Sequence, residues 1–138
     1  MKILIIPFLL ISFTAFGQAT IGIQYTTKGF GMDAGFMHRS GVQLLAGYNV
    51  SIKTTLVPNL TYLALGYKIG ENITVTPSVG YSHYKVGKYI KEQYTENSSY
   101  KMIYNLEVGK DYELGRIFIT ANYCGIFYAG VGIRAFIN

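Results

Sequence analysis

The chain has 138 residues, half of them hydrophobic and only 14% charged, with a net charge of +5. One domain fits that length, and so low a charge calls for an explanation, because soluble domains carry about a quarter of their residues as charged groups. No Lys/Arg cluster stands out to read nucleic acid, and the lone Cys124 excludes an internal disulfide and argues against a cysteine-built metal site.

The first 17 residues, MKILIIPFLLISFTAFG, read as a signal peptide. Lys2 supplies the positive start, Ile3 to Phe13 form an apolar run, and Ala15 and Gly17 are the small pair a signal peptidase needs. Cleavage after Gly17 leaves residues 18–138 as the mature domain, with eleven basic and seven acidic residues, a charge of +4. A transmembrane helix needs about 20 apolar residues, and the polar stretch from Gln18 arrives too soon. A Gln directly after the cut resembles secreted proteins of Bacteroidetes.

Eight segments of period two follow, the pattern of strands whose side chains alternate between faces. Thr20–Thr27 sets Ile21, Ile23 and Tyr25 against Gly22 and Gln24, and Phe30–His38 sets Met32 and Ala34 against Gly31, Asp33 and Gly35. Val42–Lys53 is the clearest, with Val42, Leu44, Ala46 and Tyr48 opposing Gln43, Leu45, Gly47 and Asn49. Leu60–Ile69 alternates Leu63 and Leu65 with Tyr62, Ala64 and Lys68, and Ile73–Val86 alternates Val75, Val79 and Tyr81 with Thr76, Ser78 and Ser82. Tyr100–Lys110, Arg116–Cys124 and Phe127–Ile137 complete the set. Most are near the 9 to 11 residues a tilted strand needs to cross a bilayer. With 13 Tyr, 8 Phe and 16 Gly, the composition favours a closed antiparallel sheet over helices.

The face opposite the apolar set is rich in Gly, Ser, Thr and Asn, with few charges. Small residues suit the narrow interior of an eight-stranded barrel; a water-facing surface would be dense in Lys and Glu. With the N-terminus in the periplasm, the connections Arg39–Gly41, Gly70–Asn72 and Asp111–Gly115 are short periplasmic turns. Gly87–Ser99 is then a long external loop, the asymmetry of outer-membrane barrels. The expected fold is an all-β, eight-stranded antiparallel up-and-down transmembrane β-barrel in the cell outer membrane.

On this pattern the whole mature chain resembles the small eight-stranded outer-membrane barrels, the OmpA-like and OmpX-like class. The final segment, YAGVGIRAFIN, resembles the last-strand signal such barrels present to the insertion machinery. That signal usually ends in an aromatic residue, whereas Ile137 and Asn138 stand here and Phe136 falls on the inward face. The resemblance implies outer-membrane lipid and the barrel insertion machinery as partners, and a structural or surface-interaction role without a cofactor.

Among inward ionisable residues, Asp33, Lys68, Glu107, Arg116 and Arg134 are the expected polar network of a closed lumen, since charges out of water need partners. Lys53 and Lys101 share that face. In the 87–99 loop, Lys88, Tyr89, Lys91 and Tyr94 form a candidate contact surface for an extracellular partner. Two alternatives stand beside this reading. A secreted soluble lipocalin-like barrel would bind a small apolar ligand with Leu44, Leu63, Val79 and Ile119 inside. A lipid A-modifying enzyme would use His38 with Ser40, two residues apart, or His83, because a nucleophile needs a base within hydrogen-bond reach. No paired-His metal site, phosphate loop or nucleophile elbow is present.

Overall fold

The computed structural model describes residues 17–51, 59–90 and 93–137, with side chains for 17–50, 59–83 and 98–137. The expected signal peptide, apart from Gly17, lies outside the described residues, as do Lys53 and Lys91.

The described residues form eight strands: β1 (Gly17–Thr26), β2 (Gly29–His38), β3 (Val42–Ser51), β4 (Asn59–Tyr67), β5 (Ile73–Ile90), β6 (Gln93–Tyr112), β7 (Gly115–Tyr123) and β8 (Phe127–Ile137). Each pairs antiparallel with the next, and β8 returns to β1 to close the barrel. Closure removes the unpaired edges that an open sheet would leave in lipid. Both chain ends of the barrel, Gly17 and Ile137, lie at one rim, called here the terminal rim. Its turns are tight. At the β2–β3 turn Gly41 takes a φ of +95° while its N–H donates to His38 O at 2.9 Å; only a residue without Cβ adopts that backbone cheaply.

Side-chain parity decides which face meets which medium. Val42, Leu44, Leu63, Val79, Ile117 and Ile119 all point outward and are exposed, Leu63 at 55% and Ile119 at 58%. Arg116, Glu107, Asp33, Arg134, Gln43 and Thr76 point inward and are buried. Burying ions and amides while baring Leu and Ile is the reverse of a soluble barrel and the arrangement lipid requires. The lipocalin-like alternative is therefore overturned: Leu44, Leu63, Val79 and Ile119 cannot line an internal ligand cavity because they face out. Tyr25, Tyr48, Tyr81, Tyr104, Tyr123 and Phe127 lie on the outer surface towards the far rim, and Tyr67 lies near the terminal rim. Tyr25 stands opposite Phe30, and Tyr123 lies between Tyr104 and Phe127.

Two expectations about connections are corrected. Gly87–Ser99 is not an irregular loop: β5 and β6 stay paired from Ile73↔Lys110 to Ile90↔Gln93. Tyr84, Val86, Tyr89, Ile90, Tyr94 and Thr95 are strong strand formers, so the ladder continues through a stretch whose Lys, Glu and Asn content suggested a loop. β4 pairs with β5 only as far as Lys85, and β7 with β6 only from Tyr104, so the outer part of the hairpin is a two-stranded ribbon. Asp111–Gly115 is likewise shorter than expected. Asp111 pairs with Arg116 and Tyr112 with Gly115, leaving a two-residue turn.

Candidate functional site

Among the described residues, the lumen holds the densest chemistry. β1 and β2 bring Gly22 opposite Asp33, and β8 brings Arg134 opposite Gly22 from the other side. Arg134 Nε and Nη2 donate to Asp33 Oδ1 and Oδ2 at 3.0 and 3.1 Å. Its Nη1 donates to both oxygens of Glu107, at 2.8 and 2.9 Å. Arg116 Nη1 donates to Glu107 Oε1 at 2.7 Å, while its Nε and Nη2 donate to Asp111. Lys68 Nζ ends the chain on Asp111 Oδ2 at 2.6 Å. Planar guanidinium forks on carboxylates give the strongest and most directional of such bonds.

The five expected residues Asp33, Lys68, Glu107, Arg116 and Arg134 are thus brought together in one network. A sixth, Asp111, completes it. In sequence, DYELG reads as a polar turn; the place of Asp111 opposite Arg116 is set by the tight β6–β7 turn. The addition changes the electrostatics. Three cations, Lys68, Arg116 and Arg134, meet three carboxylates, Asp33, Glu107 and Asp111, so the set is neutral. Lys101, grouped with these by parity, is exposed near Gly125 towards the far rim, away from the network.

Aromatic and apolar groups fill the remaining space. Arg134 lies over the Phe118 ring at 4.6 Å and Arg116 over Phe136 at 5.9 Å, within cation–π range. Towards the far rim, Leu60, Ile103, Cys124 and Tyr128 form a buried cluster against Tyr62. Asn49 Nδ2 donates to the Tyr128 hydroxyl at 3.4 Å, and Gln24 Nε2 to Asn49 Oδ1 at 3.5 Å. Ile103 and Phe118 share a face with Lys101, Asn105, Arg116 and Thr120, so an argument that sorts residues by polarity misses them. Between the two layers the free volume beside Arg134, Tyr62 and Ile103 is about 10 Å³. A single water needs roughly 10–15 Å³. Among the described residues, this middle section of the lumen is packed with salt bridges and rings.

These features decide the class. The fold is that of a small outer-membrane β-barrel. The N-terminal β-barrel domain of OprF from Pseudomonas aeruginosa superposes with a TM-score of 0.73 at 16% identity, covering 88% of this chain and 99% of that one. The outer membrane protein Ail of Yersinia pestis, in a phospholipid nanodisc, gives 0.57 at 12% identity, with 88% and 99% covered. Neisserial surface protein A gives 0.50 at 12% identity, with 87% and 95% covered. No family model matches the chain, and no curated protein matches it in sequence.

The alternative catalytic residues occupy different settings. His38 Nδ1 lies 2.7 Å from Ser40 Oγ and accepts a hydrogen bond from Ser40 N at 3.1 Å. His38 ends β2 and Ser40 lies in the exposed β2–β3 turn, where the imidazole braces the chain reversal that Gly41 completes. Ser82 points into the barrel and donates to Lys101 O at 2.8 Å, while His83 points outward and stacks on Tyr100 at 4.7 Å. The barrel wall separates those two side chains. Of the contact-surface residues, Lys88, Tyr89 and Tyr94 lie in the ribbon, with Lys88 opposite Thr95 and Tyr89 opposite Tyr94.

Proposed function

We propose that this protein spans the outer membrane as a closed barrel, with a structural or surface-interaction role and no catalysis or conduction. The single observation that carries the reading is the inversion of faces: leucines and isoleucines look out while a neutral six-residue ion network fills the axis. With the terminal rim in the periplasm, the ribbon formed by β5 and β6 extends outside the cell. Its Lys88, Tyr89, Lys91 and Tyr94 are the proposed contact residues, and Tyr is well suited to that work because its ring buries area and its hydroxyl bonds. The signal peptide, a Bacteroidetes-like secretory origin and assembly by the insertion machinery belong to the same proposal. The His38–Ser40 pair is read as a turn brace, since the exposed turn offers no enclosed site to exclude water.

Outer-membrane fractionation, a heat-modifiability gel and surface protease digestion together test it. The folded barrel is expected to migrate faster unheated than boiled and to be cleaved from outside within the ribbon. Planar bilayers holding the purified barrel should show no steady conductance. A soluble periplasmic protein, or a steady ion current, would contradict the proposal.

A further inference from the structure

One stretch of the barrel wall is incompletely laced. The pairing of β4 with β5 runs unbroken from Asn59↔Lys85 to Gly66↔Ser78, skips two residues on each strand, and resumes as the single bridge Ile69↔Val75. Among the described pairings it is the one interrupted before the terminal rim. The cause is Pro77. Ile69 and Val75 exchange two backbone hydrogen bonds, at 2.9 and 2.8 Å. Antiparallel ladders repeat such a pair at every second residue, so the next falls at Tyr67 and Pro77. Proline has no N–H, and the Tyr67 carbonyl therefore meets no ladder donor. Pro77 lies on the exposed outer face, where lipid supplies none either.

We propose that this seam is a latched opening in the wall: the Lys68–Asp111 ion pair sets how often residues 67–69 part from residues 75–77 and let water into the terminal half of the lumen. Lys68 stands inside the gap and reaches past β5 to Asp111 on β6, Nζ to Oδ2 at 2.6 Å. Their side chains are 21% and 13% exposed, so water can compete for both ions. Each bank of the gap is held elsewhere. Lys68 N donates to Gly41 O at 2.7 Å, Asp111 N to Asn72 O at 3.0 Å and Thr74 Oγ1 to Gly109 O at 3.4 Å. The β4 side thus stays with β3, and β5 stays with β6, while the gap widens. Parting breaks the two bonds of the Ile69–Val75 bridge. Hydration offsets part of that loss. Thr76 lies on one bank, and Gln43 stands opposite Gly66 on the other. Both are buried, and the Thr76 hydroxyl and both amide atoms of Gln43 have no partner among the described residues. Water would pair these groups and the Tyr67 carbonyl, and buried polar groups gain free energy when they are paired. Beyond them the bonded ions of Glu107, Arg116 and Arg134 stop the water, so the opening gives no path through the barrel.

The inference rests on the membrane reading above, and the test separates the two. The full barrel is folded in phospholipid nanodiscs, and amide hydrogen exchange is followed residue by residue by NMR. In the wild type, the Ile69 and Val75 amides should exchange faster than those of Ile117 and Ile133, a pair in the unbroken β7–β8 ladder. Lys68→Met should speed Ile69 and Val75 about tenfold, the loss of one partly exposed bond between ions, and leave Ile117 and Ile133 unchanged. Lys68→Arg, which can keep the ion pair, should exchange like wild type. Pro77→Val returns the missing N–H; it should slow Ile69 and Val75 and suppress the effect of Lys68→Met in the double variant. All proteins are first shown to be heat-modifiable, and failure of the wild type at that step sinks the membrane reading itself. In a heat-modifiable barrel, wild-type Ile69 and Val75 as protected as Ile117 and Ile133 would overturn the seam alone. So would an equal rise at all four amides in Lys68→Met, or Pro77→Val amides that exchange like wild type.

Discussion

Arg134 on β8 and Asp33 on β2 are 101 residues apart, yet their side chains meet as a two-pronged ion pair directly over Gly22 of the strand between them. The pair spans the seam where the last strand returns to the first. Gly22 leaves room for it: a Cβ there would lie 2.7 Å from Asp33 Oδ1, so the carboxylate would have to shift. Sequence, register and barrel closure are coupled at this one position.

Gly22→Val should therefore impair closure more than its size suggests. Overpacking of a core typically costs about 1–3 kcal/mol, and displacing Asp33 from a buried guanidinium adds to it. The folded fraction on a heat-modifiability gel should fall, and the urea midpoint of the remainder should drop. Gly22→Ala should lie between. An unchanged midpoint for Gly22→Val would contradict this placement of Asp33.

Glu107 is the pivot of the network, because both Arg116 and Arg134 donate to it and it is only 3% exposed. Glu107→Gln keeps the shape and removes the charge, leaving three cations, Lys68, Arg116 and Arg134, to share two aspartates. Breaking a buried ion pair from one side typically costs about 3–5 kcal/mol. Denaturant unfolding in lipid vesicles should show a loss of that order. Joint replacement of Glu107 by Leu and Arg116 by Met should cost less than Glu107→Gln alone, because charge balance is restored.

The thiol of Cys124 is packed with Leu60, Ile103 and Tyr128. It is the chain's one cysteine, so labelling reads this site alone. A maleimide should react slowly with the folded barrel and orders of magnitude faster once it is unfolded in urea. Ile103→Ala, which loosens the cluster, should raise the folded-state rate. Rapid labelling of the wild type would mean that the far half of the lumen is open.

Ile119→Arg tests the outer face. An arginine on the lipid side near the bilayer midplane costs a barrel about 2–4 kcal/mol, while the same change on a water-facing strand lies within about 0.5 kcal/mol. Vesicle unfolding should show the larger loss, and Thr61→Arg, near the far rim, should show a smaller one. Equal small effects would mean that this face is hydrated.

The alternation of residues such as Val42 to Val50 and Ile117 to Tyr123 makes strand identity and facing legible in sequence, because each neighbour reinforces the same parity. Five members of the lumen network could be named because an ionisable residue on the narrow face of a barrel has nowhere else to go. Asp111 was hidden because turn and strand are not distinguished by composition; only the register with Arg116 assigns it. The β5–β6 ribbon was hidden for the opposite reason, since its Lys, Glu and Asn obscured the strand-forming Tyr, Val and Ile around them.

The chain contains no Trp, so one introduced Trp reports alone. Phe118 and Ile119 are adjacent but face opposite media, at 2% and 58% exposure. Ile119→Trp and Phe118→Trp barrels are to be reconstituted in vesicles containing lipids brominated along the acyl chain, and Trp fluorescence measured. Strong quenching at position 119 with little at 118 is the expected result. Strong quenching at 118 with little at 119 would contradict the inverted barrel.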